Sequence, residues 1–401
     1  KKLIVEYIDE VVAALVHISQ MENETITFTE KLDFFRRASH CFGRSALMLS
    51  GGANFGMFHV GVAKTLHEQK LLPHVISGSS AGSVVAAVLG TYSDEELVDY
   101  FALESVKHEA MKFMGWKKLF KGEALLDGQH LEDSMAKLIP ELTFAEAFEK
   151  TGRAINITIS PAKLNHESRM LNSISASNVY VRKGVLASTA VPGLFPPVTL
   201  VAKNYEGEPQ PYNPSRQWVD GTLSNDLPGK RLSRFYGVNH FIASQVNPHV
   251  VPFVNEKGKA QGIRQLTSEI TAKTTKSIVS NVLKHTTENM KSPALGYFLT
   301  QVHALVSQDY TADINITPNF STLNPMKLFT NPETEDIINI VKAGERATWP
   351  RVEWIRNCTK ISRTLDSILD ALEKEEQLLL NANVKTSKTK AKKEATMKKA
   401  S

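Results

Sequence analysis

The sequence predicts an α/β fold, and three stretches carry that prediction. Ala46-Leu47-Met48-Leu49-Ser50 is a short apolar run of buried-strand type. It enters a glycine-rich turn, Gly51-Gly52-Ala53-Asn54-Phe55-Gly56, and then a helix-patterned segment, Met57 to Gln69, with Phe58, Val62, Ala63 and Leu66 on one side. The β-branched run at Val75-Ile76 repeats the order, passing through Gly78-Ser79-Ser80-Ala81-Gly82 into a small apolar helix that ends near Gly90. Arg153 to Ile159 adds a strand of alternating character. Strands that alternate with helices bury an apolar sheet under helical layers, so the expected architecture is a three-layer α/β/α core with N- and C-terminal helical extensions.

Residues 1 to about 40 read as helices. Val5, Ile8, Val11, Val12, Leu15 and Ile18 recur at helical spacing, and a second helix runs through Thr29 to Arg37 with Thr27 or Thr29 as N-cap. The stretch from Ser93 to about Phe148 is helical and mixed. Its aromatic-basic cluster (Phe113, Met114, Trp116 and Phe120 among Lys112, Lys117, Lys118 and Lys121) fits a membrane-surface anchor or, more commonly, a packed helix with snorkelling lysines. Arg169 to Ile174 is a further strand, and Ser177 to Thr189 a helix. The proline-stiffened Ala190-Val191-Pro192-Gly193-Leu194-Phe195-Pro196-Pro197 fits an acyl-pocket wall or a tight buried loop equally well. Gln217 to Gly221 and Gly237 to Val246 are strands, residues 260–308 long amphipathic helices, Asp313 to Thr317 a last strand, and 333–381 helical. The expected division is an N-terminal helical extension at 1–45, a catalytic core at 46–250, a helical region with a late core strand at 251–381, and a basic disordered tail at 382–401.

Composition narrows the function classes. The two cysteines, Cys41 and Cys358, exclude a disulfide framework, and no Cys/His group has zinc-ligand spacing. Net charge is +5, but seven lysines against Glu394 sit within residues 385–401, leaving the rest of the chain near neutral. That argues against a nucleic-acid surface across the fold. The tail fits a solubilising end, or an attraction to anionic headgroups of about 1 kcal/mol per lysine. No run reaches the roughly 18 apolar residues of a membrane span. The start, Lys1-Lys2-Leu3-Ile4, lacks signal-peptide character, and the absent Met suggests that the chain begins inside a longer protein. An intracellular location, peripheral to a membrane or lipid droplet, is expected.

Two turns carry the chemistry. Gly78-Ser79-Ser80-Ala81-Gly82 is G-x-S-x-G between strand and helix, the context of a nucleophile elbow: Ser80 sits in a sharp turn, and Gly78 and Gly82 allow strand and helix to approach. Gly51-Gly52-Ala53 opens an anion cradle at a helix N-terminus, which serves nucleotide phosphate or an acyl-transfer oxyanion. A P-loop fails because Met57 and Phe58 follow Gly56, and a dinucleotide fingerprint fails because Ala53 stands where its second glycine belongs. The oxyanion reading is left. An ester hydrolase also needs a base. Asp220, in Asp220-Gly221 at a strand end, is one candidate. A Ser…Asp…His triad using His240, His249, His285 or His303 is permitted by chain order.

These motifs, with Phe58-His59-Val60-Gly61, Val191 to Pro197, Asn239-His240-Phe241-Ile242 and Gly344-Glu345-Arg346-Ala347-Thr348-Trp349-Pro350, resemble the patatin-like phospholipases over roughly residues 1–380. Within them the chain is most similar to the triacylglycerol lipase branch typified by plant sugar-dependent lipase and yeast lipid-droplet lipases, which carries an N-terminal helical domain. The resemblance implies a patatin-like core and a dyad of Ser80 as nucleophile and Asp220 as base with no histidine between them. It implies an oxyanion loop at Gly51, Gly52 and Ala53, with no cofactor and no metal. Ala53 and Phe55 stand where the wider family has glycine and a cation, which favours a neutral glyceride over a phosphate headgroup. The expected activity is hydrolysis of triacylglycerol at a lipid droplet or membrane surface through an acyl-serine. Phospholipase A or lysophospholipase activity, or transacylation from the same intermediate, is the alternative; no H-x-x-x-x-D acyltransferase signature follows any histidine. A non-catalytic lipid-surface scaffold is the remaining class.

Overall fold

The structure is a computed structural model. It describes residues 1–21, 26–102, 128–163, 167–192, 195–222, 226–247, 312–319 and 334–400, with side chains described except at 128–131, 134 and 382–400. The aromatic-basic cluster at 112–121 and the helices expected at 260–308 lie outside the described residues, as do Gly193 and Leu194. Two compact units form: Lys1–Arg44 with Trp354–Ser401, and Ser45–Glu353.

The smaller unit is helical. It contains α1 (Lys2–Gln20), α2 (Phe28–Phe42) and most of the long helix Val352–Ala400. Thr27 caps α2 with a full capping box: its side chain accepts the Glu30 amide, and Glu30 reaches back to the Thr27 amide at 2.9 Å. Leu32 and Phe35 of α2 meet Leu365, Leu369 and Leu372 in one core, with Leu15 and Ile18 of α1 packed against it. The i, i+3, i+4 and i+7 spacing of these residues gives each helix one apolar stripe; bundling buries the α2 and Leu365–Leu372 stripes and partly covers that of α1.

The larger unit is built on a sheet. In chain order its elements are β1 (Arg44–Leu49), α3 (Gly56–Glu68), β2 (Val75–Gly78), α4 (Ala81–Thr91), α5 (Asp94–Phe101), α6 (Gly128–Leu138), α7 (Phe144–Thr151), β3 (Ala154–Pro161), β4 (Arg169–Leu171) and α8 (Val181–Thr189). They continue with β5 (Leu200–Lys203), β6 (Pro209–Tyr212), β7 (Trp218–Asp220), α9 (Gly229–Tyr236), β8 (Val238–Ser244), β9 (Ile314–Ile316), α10 (Thr334–Thr348) and α11 (Val352–Ala400), the last supplying the long helix of the smaller unit. The strand order is β4-β3-β2-β1-β8-β9, with β7 also paired to β3. The pairs β1–β2, β2–β3 and β8–β9 are parallel, whereas β4 and β7 run antiparallel to β3. Helices cover both faces. Ala46, Met48 and Val75 point to a core closed by Leu232 of α9. The alternate residues Leu47, Leu49 and Ile76 face the other way and are equally buried. On that side α4 lies so close to β3 that a Cβ on Gly90 would stand 2.1 Å from Ile155. Two-sided burial is why β1 and β2 read as continuous apolar runs.

Three local outcomes depart from the sequence reading. The α8 helix begins at Val181, because 177–180 are used in turns and in the bridges Thr143↔Tyr180 and Val179↔Ala202. Residues 200–212 form an antiparallel β5–β6 hairpin, which the exposed Pro209, Gln210 and Pro211 give no pattern for. The 382–400 backbone continues α11, where a disordered tail is expected; its alanine, lysine and glutamate content has high helix propensity.

Candidate active site

Sheet register brings the serine turn and the aspartate together. β2 pairs with β3 up to Gly78↔Ile157 and then leaves the sheet. β7 pairs with β3 from Ile159↔Asp220, while β4 occupies the opposite edge at Ile159↔Arg169. The β7 strand therefore takes the edge that β2 vacates, and Asp220 falls level with Ser80. The two interact electrostatically: the Ser80 hydroxyl lowers the proton affinity of the Asp220 carboxylate. Gly221 makes the approach possible, because a Cβ there would stand 2.0 Å from the Thr158 carbonyl oxygen.

Ser80 has φ 48° and ψ −122°, a conformation that costs a non-glycine residue about 1–3 kcal/mol. The turn is enforced by its neighbours. A Cβ on Gly78 would lie 2.2 Å from the Gly82 carbonyl oxygen, and one on Gly82 2.3 Å from that of Leu49. The Ser80 amide donates to Ser188 Oγ at 3.0 Å, and Ser188 Oγ donates to the Thr158 carbonyl at 2.7 Å. One residue beyond α8, the Ala190 carbonyl accepts the Asp220 amide at 2.9 Å. The end of α8 thus grips both members of the pair.

Burial controls the aspartate. Asp220 is 4 % exposed. Desolvation pushes its carboxyl from an ordinary 3.8 up to about 6, against the lowering effect of the Ser80 hydroxyl and the hydrogen bond from the Thr222 amide at 2.8 Å. A carboxylate with that affinity for protons is a usable base near neutral pH.

The glycine loop is clamped on several sides. His59 is fully buried, its ring meeting Ser244 Oγ at 2.7 Å and the Ser50 carbonyl at 2.9 Å, and burial pushes it down to about 4, so it is neutral. Ser50 Oγ accepts the Val246 amide at 3.0 Å. The Gly51 amide donates to Asp226 Oδ1 at 2.7 Å. That bond corrects the expectation that Gly51, Gly52 and Ala53 all offer amides to an oxyanion: the Gly51 donor is already used. No described group accepts the Gly52 or Ala53 amides. Ala53 is held at φ 45°, the left-handed region where a glycine would be unstrained. Beyond it the first turns of α3 and α4 meet, with Gly56 so near Ala81 that a Cβ would lie 2.7 Å from the Ala81 Cβ. Two helix N-termini therefore converge beside Ser80, where their dipoles favour negative charge. An apolar crevice lined by Met57, Val60, Ala81, Val84, Val85 and Leu138 opens next to this point.

Of the histidine alternatives, the one among the described residues, His240, does not assemble with Ser80. His240 lies near the start of β8, its Nδ1 3.1 Å from Ser45 Oγ near the start of β1, at the opposite end of the strands from Ser80. His249, His285 and His303 lie outside the described residues. The sequence reading gave no role to Ser188, Thr158 or Asp226. Only Asp226, in the Asn-Asp-Leu-Pro run after Asp220, had a local signal that could have drawn attention. Among the described residues no cluster suits a metal ion, and no helix is long and apolar enough to cross a membrane.

A family model described as patatin-like phospholipase matches residues 47–230, which include Ser80, Asp220 and the glycine loop. The chain is 36 % identical to triacylglycerol lipase SDP1L of Arabidopsis thaliana, over 92 % of this chain and 48 % of that protein. It is 35 % identical to triacylglycerol lipase 4 of Saccharomyces cerevisiae, over 96 % of this chain and 44 % of that protein. With triacylglycerol lipase ptl3 of Schizosaccharomyces pombe it shares 33 % identity over 89 % of this chain and 75 % of that protein. The chain thus spans about half the length of the first two relatives and most of the third. With matching sequence across nine-tenths of its length and the strand–turn–helix elbow in place, the chain belongs to the patatin-like phospholipase family.

Proposed function

We propose that the chain is a lipid acyl hydrolase that cleaves fatty-acid esters of triacylglycerol at a lipid surface, with Ser80 as nucleophile and Asp220 as base. The observation that carries this reading is the strained Ser80 set beside a buried carboxylate of raised proton affinity, which the Ser80 hydroxyl acts to lower. Ser80 Oγ attacks the ester carbonyl carbon as its proton passes to Asp220. The Gly52 and Ala53 amides, with the two helix N-termini, stabilise the oxyanion. Collapse of the tetrahedral intermediate breaks the bond to the glycerol oxygen, which takes the proton from Asp220. Water then attacks the acyl-serine, again giving a proton to Asp220, and the fatty acid leaves as that proton returns to Ser80.

Substrate preference rests on two supports. Relatives at 33–36 % identity are named triacylglycerol lipases. In addition, Phe55 is buried where the wider family places a cation, so that position offers no charge to a headgroup phosphate. Attachment to the lipid surface is supported by the lysines of residues 385–399.

The test is fatty-acid release from trioleoylglycerol and phosphatidylcholine at equal interfacial area, by wild type, S80A and D220N. Release mainly from trioleoylglycerol, lost in both variants, is the expected result. Release mainly from phosphatidylcholine moves the substrate to phospholipids, and release that survives S80A refutes the dyad.

A further inference from the structure

We propose that Asp226 is a positioning residue that sets the oxyanion loop. Its side chain holds the Gly51 amide, and its backbone holds the residue before the nucleophile. The inference rests on the dyad reading above and deepens it.

Three bonds carry it. Asp226 Oδ1 accepts the Gly51 amide at 2.7 Å, Asp226 Oδ2 meets Asn247 Nδ2 at 2.6 Å, and the Asp226 carbonyl accepts Ser79 Oγ at 2.9 Å. Asp226 is fully buried, so each of these groups would be costly to leave unpaired. Together they tie the glycine loop, the elbow and the end of β8 to one residue, six positions after the base. Thr222 closes the ring from the other side, since a Cβ on Gly51 would stand 2.4 Å from Thr222 Oγ1.

The physical need is plain. Gly51-Gly52 has no side chain with which to fix its own conformation, and two successive glycines lose more backbone freedom on ordering than any other pair. An oxyanion donor works only if it points at the developing charge from about 2.7–3.1 Å. Rotation of the peptide entering Gly51 would swing the Gly52 and Ala53 amides out of line. A fixed acceptor on the Gly51 amide prevents that rotation. Asp226 meets neither substrate nor reacting atoms in this scheme; it acts through the loop. Burial, opposed by the Gly51 amide and aided by the neighbouring Asp220 charge, pushes its carboxyl well above the usual range. A protonated carboxyl still accepts the Gly51 amide through Oδ1, so the hold does not depend on charge.

The experiment uses the full chain and a soluble ester, p-nitrophenyl butyrate, with wild type, S80A, D226N and D226A. We expect D226A to lose about 10²-fold in kcat with KM within about twofold, the size of losing one oxyanion donor. D226N keeps an amide oxygen for Gly51, its new NH2 is accepted by Asn247 once that amide turns its oxygen inward, and the variant stays within about threefold of wild type. A residue that only packs would lower Tm and leave kcat per folded molecule unchanged. Should D226A not fold, D226S, whose hydroxyl falls short of the Gly51 amide, takes its place with the same expectation. Ser80-dependent hydrolysis that is unchanged in D226A (or D226S) overturns this inference alone, as does a D226N variant as impaired as D226A. Hydrolysis that survives S80A overturns the dyad reading and this inference with it.

Discussion

Replacing Asp220 should make the protein more stable, and the gain should follow pH. Asp220 has an ordinary value of 3.8 in the unfolded chain and about 6 when folded, because burial disfavours its charged form. The folded state binds the proton more tightly. The stability contributed by the neutral carboxyl is therefore fully present below pH 3.8 and lost as pH rises through 6. The rise corresponds to about 3 kcal/mol of folding free energy given up by the time the group is fully ionised. In D220N the amide oxygen still accepts the Thr222 amide, which sits 2.8 Å from Oδ1 in the native site, and no charge is buried. The assay is thermal unfolding of wild type and D220N, followed by circular dichroism from pH 3.5 to pH 8. At pH 8 the variant should melt about 6 °C higher, given that about 1 kcal/mol moves Tm by about 2 °C in a unit of this size. At pH 3.5 the two should coincide. A variant that melts at or below wild type at pH 8, or an advantage that persists unchanged at pH 3.5, would refute burial as the source of the raised proton affinity.

Three further outcomes follow from the same geometry. In the proposed mechanism ester hydrolysis requires ionised Asp220, so kcat/KM should be flat above about pH 6 and fall tenfold per pH unit below it; a limb near pH 4 would mean an unperturbed carboxyl. G221A places a Cβ 2.0 Å from the Thr158 oxygen and must push Asp220 away from Ser80, so kcat should fall about 10²-fold in protein that still folds, and wild-type kcat would contradict the register argument. H240A removes a ring whose Nδ1 bonds Ser45 at the far end of the strands, and it should keep activity within about threefold; a loss of about 10²-fold would revive a triad.

The parts of the site that were legible in the sequence are those written in contiguous residues. A buried strand, two glycines and a helix are local events, and each needs only its own neighbours to be recognised. The N-cap of α2 was legible for the same reason, because Thr27 and Glu30 satisfy each other within one turn. The hold on Gly51 was not, because its acceptor is 175 positions away and an aspartate beside Leu-Pro carries no mark of its partner. Without that bond all three loop amides look equally free. Ser188 was hidden in another way: a small polar residue near a helix C-terminus is ordinary, and only the packing of α8 against β3 makes it the bridge to Ser80. The β5–β6 hairpin escaped because its second strand is exposed and proline-bearing, so neither hydrophobic alternation nor propensity announces it.

The pairing of β2 and β7 along one edge of β3 has a consequence for how the site tolerates change. Gly78 is registered on Ile157 and Asp220 on Ile159, so a two-residue span of a single central strand measures out the gap between Ser80 and Asp220. Neither the β5–β6 hairpin nor α5 has to supply that measurement. Those regions are therefore at liberty to lengthen, shorten or change sequence, and with them the shape of whatever the chain receives, while the reacting pair keeps its spacing. The cost of error is concentrated in turn: a slip of β7 by one residue would turn Asp220 to the other face of the sheet. Diversity of substrate and constancy of chemistry are thus assigned to different stretches of the same polypeptide, with Ile157 to Ile159 as the fixed gauge between them.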